Sequence, residues 1–333
     1  DNQGFWGKLN KPIMALAPLA NVTDAAFRAI IAKYGKPDLM YTEFVSADGL
    51  ASAGRKHLLV DLKFSEAERP IVAQFFGATP EHFYQAALLA QELGFDGIDI
   101  NMGCPDRAVL KQSAGAALIE TPELAQEIIR ETKRGAGSLP VSVKTRLGLK
   151  KNTLKNWLPR LLETELAAVI IHGRTAKELS LVPARWEDIA EAVKIRAELG
   201  LGMEETLILG NGDVKNLADA EVKAKKYGLD GVMVGRGIFG NPWFFARYHN
   251  EVVIPGFAGT GEPEAKEKLR VMVEHTQLFE KMFSGIKSFD VMKKHYKAYA
   301  NGFPGAKELR IKLMAAKNAD EVDQVVKTRL QRG

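Results

Sequence analysis

The sequence predicts a (β/α)8 barrel followed by a small all-helical domain. Eight short apolar strand candidates alternate with helical patterns over about 250 residues, the count and length of that barrel. A stretch rich in proline and glycine, Pro255–Pro263, then breaks the pattern. Beyond it only helical periodicity remains. The expected organisation is a catalytic barrel at 1–254, a linker at 255–263 and a helical domain at 264–333.

In chain order, the first strand is expected at Ile13–Ala17, before a helix at Asp24–Tyr34 with Asp24 as cap or first-turn acid. The second strand is Leu39–Glu43. The third, Ile71–Phe75, precedes a helix at Pro80–Leu93, and the fourth, Gly97–Ile100, precedes one at Pro122–Arg134. Val141–Thr145 pairs with helix Leu154–Glu163, Ala168–His172 with Trp186–Leu199, and Thr206–Leu209 with Val214–Tyr227. Gly231–Val234 is the eighth strand. Proline suits first helical turns, and Gly94 and Gly228 suit helix C-termini. A doubly wound sheet usually carries a glycine-rich fingerprint after its first strand. Here Ala17-Pro18-Leu19-Ala20 follows, and the glycine pairs come late, which favours the barrel. The later helices are expected at Glu264–Phe283, Phe289–Ala300, Pro304–Ala316 and Ala319–Leu330.

The net charge of +5 is concentrated. Residues 257–333 carry 15 Lys/Arg against 10 Asp/Glu, while the rest of the chain carries 31 of each. This is a pointer to a polyanionic partner. No apolar run approaches the ~18–20 residues of a membrane span. The opening residues show no basic-then-apolar leader pattern, so a cytoplasmic location is the expectation; a monomer is the plain expectation for its state of assembly. Cys104 is the single cysteine, which excludes an internal disulfide. The six histidines form no ligand-spaced cluster, so no metal site is expected.

Polar residues collect where strands should end, and in a barrel those ends share one mouth. Pro18 follows strand one and Gln74 ends strand three. Asn101 and Cys104 follow strand four, within Asn101-Met102-Gly103-Cys104-Pro105. Lys144 and Arg146 end strand five, and His172 ends strand six, ahead of Gly173-Arg174-Thr175. Asn211-Gly212-Asp213 follows strand seven and Gly235-Arg236-Gly237 strand eight. Loops after strands seven and eight commonly bind phosphate, because glycines let backbone N–H groups approach it. Arg236 adds a charge-assisted contact. With Lys144 to stabilise a negative edge and Gln74 to meet a ring-edge amide, flavin mononucleotide (FMN) fits better than a sugar phosphate.

These residues resemble the flavin-dependent tRNA-dihydrouridine synthases. Ala17–Asp24 with Phe27-Arg28, Tyr41–Ala47, Asn101–Pro105 with Lys111 and Gly115–Leu118, Lys144–Gly148, His172–Thr175, Asn211–Asp213 and Gly235–Gly237 match that family's motifs in order. Met292–Tyr296 and Gly302–Arg310 resemble its bacterial B-type branch. The chain departs at Ser113, where the family often has glycine, and at Ser180 and Val182, where an aromatic and a glycine are usual.

The resemblance implies reduction of the C5–C6 double bond of a D-loop uridine in tRNA, with bound FMN and with NADPH or NADH as reductant. It gives Cys104 the proton delivered to C5. It gives Asn101 and Arg174 the target nucleotide, and Pro18, Gln74, Lys144, His172, Asn211, Gly212, Asp213, Gly235 and Arg236 the flavin. A target inside folded tRNA must leave its stack. Lys293, Lys294, Lys307 and Arg310 are candidate phosphate contacts, because residues 287–317 carry eight Lys/Arg against Asp290 and Glu308. Two alternatives remain: a flavin barrel acting on a small molecule, and a non-catalytic tRNA-binding protein.

Overall fold

The structure is a computed structural model and describes residues 3–246 and 264–331. The eight strands are β1 (Ile13–Leu16), β2 (Met40–Ser46), β3 (Ile71–Phe76), β4 (Gly97–Met102), β5 (Val141–Arg146), β6 (Ala168–His172), β7 (Leu207–Asn211) and β8 (Gly231–Val234). The helices are α1 (Ala25–Tyr34), the short α2 (Ala47–Leu50) and α3 (Arg55–Leu58), α4 (Pro80–Glu92), the short α5 (Arg107–Leu110), α6 (Pro122–Ala136), α7 (Leu154–Leu162), α8 (Trp186–Glu198) and α9 (Leu217–Tyr227). After the segment expected as linker, which lies outside the described residues, come α10 (Ala265–Phe283), α11 (Lys293–Tyr299), α12 (Ala306–Ala315) and α13 (Ala319–Gln331).

All neighbouring strands are parallel, in the order β1-β8-β7-β6-β5-β4-β3-β2. The sheet closes where Ala15 bridges Leu39, with Leu16 N–H donating to the Leu39 carbonyl at 2.9 Å. Its filled interior includes Ile13, Ala15, Tyr41, Val72, Ile170, Leu209 and Met233, all fully buried. Phe5 and Trp6 pack at the N-terminal ends of the strands. A Cβ on Gly97, at the start of β4, would lie 3.0 Å from the Phe5 ring.

The chain divides into two compact units, Asp1–Ala20 with Pro37–Gly235, and Asn21–Lys36 with Arg236–Gly333. The first holds the barrel strands. The second joins α1 to the C-terminal helices. Phe27 of α1 packs on His275 and His295, and Tyr34 hydrogen-bonds Glu274 at 2.5 Å. Asp24 caps α1 by accepting from Phe27 N–H at 2.9 Å.

Several boundaries move from those the sequence predicts. Strand β4 runs on to Met102 because Asn101 and Met102 pair with Lys144 and Thr145, so Asn101 lies in the strand rather than after it. Asn211 likewise lies in β7, paired with Met233 and His172. Helix α9 starts at Leu217 rather than Val214, because the Asn216 side chain caps it through Asp219 N–H. The helix expected over Phe289–Ala300 is a 3-10 turn, Phe289–Met292, followed by α11.

Candidate active site

The C-terminal strand ends of the barrel unit gather most of the expected residues. Gln74 on β3 is fully buried. Its Nε2 donates to Asp99 Oδ2 on β4 at 2.6 Å, and its Oε1 accepts from Asn101 Nδ2 at 3.0 Å. Asp99 Oδ1 accepts from Ser142 Oγ on β5 at 2.6 Å. Asn101 Oδ1 accepts from the backbone N–H groups of Gly103 and Cys104, at 3.1 and 2.9 Å. The Asn101 side chain therefore sets the path of the loop that carries the cysteine.

Cys104 is partly exposed. Burial pushes its thiol above the ordinary cysteine value, while the charges of Arg146 and Lys144 oppose the rise. Gly115 lies under this loop at φ +62, where a Cβ would come within 2.8 Å of the Cys104 carbonyl oxygen. Only glycine allows that approach in that conformation. Arg146 Nε donates to the Gly103 carbonyl at 2.7 Å and its Nη1 to the Thr175 carbonyl at 3.2 Å, tying the loops after β4 and β6 together.

Lys144, on β5, is the other charge beside the thiol. Burial lowers its ammonium to about 8, with Arg146 adding to the fall and Asp99 opposing it. Among the described residues it makes no hydrogen bond or ion pair. A cation in that position suits a negative ligand edge.

A second cluster forms on β6 and β7. The Arg174 guanidinium is buried. Its Nη2 reaches both Asp213 oxygens, its Nε donates to the Val182 carbonyl at 2.6 Å, and its Nη1 lies 3.0 Å from His172 Nε2. Arginine can only donate. His172 Nε2 must therefore be the acceptor, which leaves the imidazole proton on Nδ1. Asn211 Nδ2 donates to the Met233 carbonyl at 2.8 Å. Gly212 has φ +128, and a Cβ there would strike Ala184 Cβ at 2.6 Å and the His172 ring at 3.1 Å.

Pro18 is buried in the loop after β1. Gly235 follows β8, where an added Cβ would meet only ordinary contacts, Ala17 Cβ at 3.8 Å and Leu19 Cδ2 at 3.9 Å. Arg236 follows at the start of a 3-10 turn and is exposed.

In the helical unit, Lys293 pairs with Asp290 at 2.5 Å and Lys294 Nζ donates to the Asn21 carbonyl at 2.7 Å. Lys307 is exposed on α12. Arg310 is partly buried and donates to the Ala300 carbonyl at 2.7 Å, at the C-terminus of α11. Four side chains named as candidate phosphate contacts thus include one that also ties two helices together.

The chain matches the Dihydrouridine synthase (Dus) family over residues 15–332. It belongs to that family. The enzyme is 39% identical over 322 residues to a probable tRNA-dihydrouridine synthase of Staphylococcus aureus (strain COL), covering 96% of this chain and 93% of the relative. It is 38% identical over 323 residues to probable tRNA-dihydrouridine synthase 2 of Bacillus subtilis (strain 168), covering 96% and 94%. Among solved structures, morphinone reductase shares the fold at a TM-score of 0.51 and 13% identity, over 78% of this chain and 93% of that one.

Sequence reasoning missed Asp99 and Ser142 as members of the site. The available signal was an acidic residue inside the apolar run Gly97–Ile100, where a buried carboxylate needs donors. No helix among the described residues is long and apolar enough to cross a membrane. Among them, too, no group of three or more His, Cys, Asp or Glu could hold a metal ion.

Proposed function

We propose that this dihydrouridine synthase family enzyme reduces the C5–C6 double bond of a D-loop uridine in tRNA, with bound FMN and with NADPH or NADH as reductant. The observation that carries the reading is the sole thiol, seated on a loop fixed by Asn101, beside the charges of Lys144 and Arg146. The relatives' names support tRNA as the substrate. The C-terminal motifs favour the bacterial B-type branch.

The residues present fit FMN. The Lys144 ammonium has no internal acceptor among the described residues and suits the electron-rich edge of a reduced ring. Gln74 keeps one N–H and one lone pair for a ring-edge amide. Gly212 and Gly235 belong to the proposed phosphate-binding loops, and at Gly235 no atom beyond its chain neighbours lies within 3.8 Å of where a Cβ would stand. His172 belongs to the proposed flavin-binding set. When bound, reduced FMN supplies the hydride that reaches uracil C6. Pro18, Asn211, Asp213 and Arg236 complete the proposed flavin-binding set.

Negative charge then develops on the uracil C4 carbonyl and C5. Cys104 Sγ–H delivers the proton to C5. The raised thiol pKa keeps that proton in place at neutral pH until the charge develops. Arg146 and Lys144 stabilise the thiolate left behind, which regains its proton from solvent. Asn101 and Arg174 orient the target nucleotide. Lys293, Lys294, Lys307 and Arg310 in the helical unit track phosphates without reading sequence.

The test is mass spectrometry of nucleosides from unmodified tRNA incubated with the protein, FMN and NADPH. A gain of two hydrogens on a D-loop uridine is expected. A protein that oxidises NADPH without changing tRNA would move the assignment to another substrate. The same assay as a function of salt tests the docking surface, since phosphate contacts release counterions and affinity should fall steeply.

A further inference from the structure

We propose that Asp99 is the positioning residue of this site: its carboxylate sets the direction of a hydrogen-bond chain, through Gln74 and Asn101, that holds the Cys104 loop. The inference deepens the function proposed above and rests on it for its catalytic meaning.

The argument comes from the two ends of the chain. At one end, an ionised carboxylate can only accept, and Asp99 accepts from both Ser142 Oγ and Gln74 Nε2 at 2.6 Å. At the other end, the backbone N–H groups of Gly103 and Cys104 can only donate, and both donate to Asn101 Oδ1. Between them lie two carboxamides, each of which has two orientations. With Asp99 accepting, Gln74 must turn its NH2 to Asp99 and its oxygen to Asn101. Asn101 must then turn its NH2 to Gln74 and its oxygen to the loop, as observed at 3.0 Å. Each choice forces the next. The acceptor end and the donor end demand the same direction, so every link is satisfied.

The energetic stake is high because the chain is buried. Gln74 and Asp99 are fully buried and Asn101 is 6% exposed. A reversed carboxamide here would face donor to donor or acceptor to acceptor out of reach of water. The direction also decides what Gln74 offers the ligand, since the atoms left free on its amide are set by those already used.

The prediction is tested by removing the acceptor and by moving it along the chain. In D99L no acceptor faces Gln74 Nε2. The buried amide loses its direction and the loop loosens. In the double variant D99N/Q74E the carboxylate sits one residue further along. Asn at 99 can donate to the new glutamate, which also accepts from Asn101, and the direction toward the loop is restored. Ser142 keeps donating, now to the amide oxygen of the side chain at position 99.

The readout is the rate of iodoacetamide alkylation, followed by intact mass, which is clean because Cys104 is the only thiol. Loosening the loop exposes the thiol and lowers its pKa. D99L is expected to react severalfold faster than wild type at pH 7.5, because exposure and a lower thiol pKa both raise the reactive thiolate. D99N/Q74E is expected to return to the wild-type rate. Should D99L not fold, a folded double variant with wild-type reactivity still supports the proposal. A D99L protein that is folded and reacts as wild type overturns it. So does a double variant that fails to fold or reacts faster than wild type. Alkylation does not depend on turnover, so a wild-type enzyme that left tRNA unchanged would overturn the proposed function and leave this test standing.

Discussion

Arg174 grips Asp213 through both carboxylate oxygens, at 2.7 and 2.6 Å, while the guanidinium itself is only 3% exposed. Asp213 also accepts from Ala184 N–H at 2.8 Å, so it pins the chain after β6 to the end of β7. Asp213 stands at φ +49, in the left-handed region. Removing the carboxylate leaves a buried guanidinium short of its acceptor. D213A is expected to lose about 1–3 kcal/mol of stability, the cost of one unsatisfied buried group. It should lower both NADPH oxidation and uridine reduction, because Asp213 is assigned to the flavin and also holds Arg174, assigned to the nucleotide. Urea unfolding and the two rates measured separately check this.

The pH dependence of turnover follows from Cys104. The acid form is active, and burial holds the thiol above its ordinary 9.0. Proton delivery should therefore be flat through neutrality and fall only as pH rises past 9. C104A is expected to lower tRNA reduction about 10²- to 10⁴-fold, the usual weight of a general acid. Flavin content, read from the visible spectrum, should be unchanged. A profile that already falls between pH 6 and 8 would reassign the acid.

Lys144 predicts a stability effect of opposite sign to its function. Its folded value of about 8 lies below the ordinary 10.5. Between those values the unfolded chain binds a proton that the fold does not, so stability rises with pH across that window. Below pH 8 the buried charge is a full penalty. In flavin-free protein, K144M should be more stable than wild type at pH 7, by on the order of 2 kcal/mol. The difference should vanish near pH 10.5, and FMN binding should be weakened. Thermal melts at pH 7 and 10 measure the first effect, and fluorescence titration with FMN the second.

In the helical unit, His275 and His295 are fully buried with ring centroids 4.8 Å apart. Among the described residues neither ring nitrogen of either has a hydrogen-bond partner. Burial lowers His275 to about 3, and burial with its neighbours' charge holds His295 well below 6.5. The unfolded chain takes up protons below pH 6.5 that the fold refuses. Stability of this unit should therefore fall with acid, by up to about 1.4 kcal/mol per pH unit for each histidine. H275L should flatten the slope between pH 6.5 and 5, measured by circular dichroism melts. An unchanged slope would place the acid sensitivity elsewhere.

Much of this molecule could be read before its coordinates, and the lapses have physical causes. Ala168–His172 and Gly231–Val234 fall where the apolar runs place them. Asn101 and Asn211 are poor strand formers by propensity, and pairing with their neighbours overrides it. The short helices at Ala47–Leu50 and Arg55–Leu58 are too brief to show a period. Ser113 stands at φ +57, which accounts for the glycine usual there, and the sequence alone shows only the exchange. The strand ends indicated which residues meet. They did not indicate which bonds each residue has already spent. Arg310 looked like a phosphate contact, yet it also holds Ala300, a contact that no spacing rule shows.

The packing of Trp6 and Phe5 against the floor of the barrel carries a consequence for kinetics. With the interior filled and Phe5 and Trp6 packed at the N-terminal ends of the strands, the chemistry is reached from the C-terminal strand ends. On the proposed function, a nicotinamide and a splayed-out uridine would need the same threshold, and neither could wait inside while the other visits. The reductant would have to call and depart before the nucleic acid arrives, so the two substrates would alternate at one counter, with the reducing equivalents stored in between.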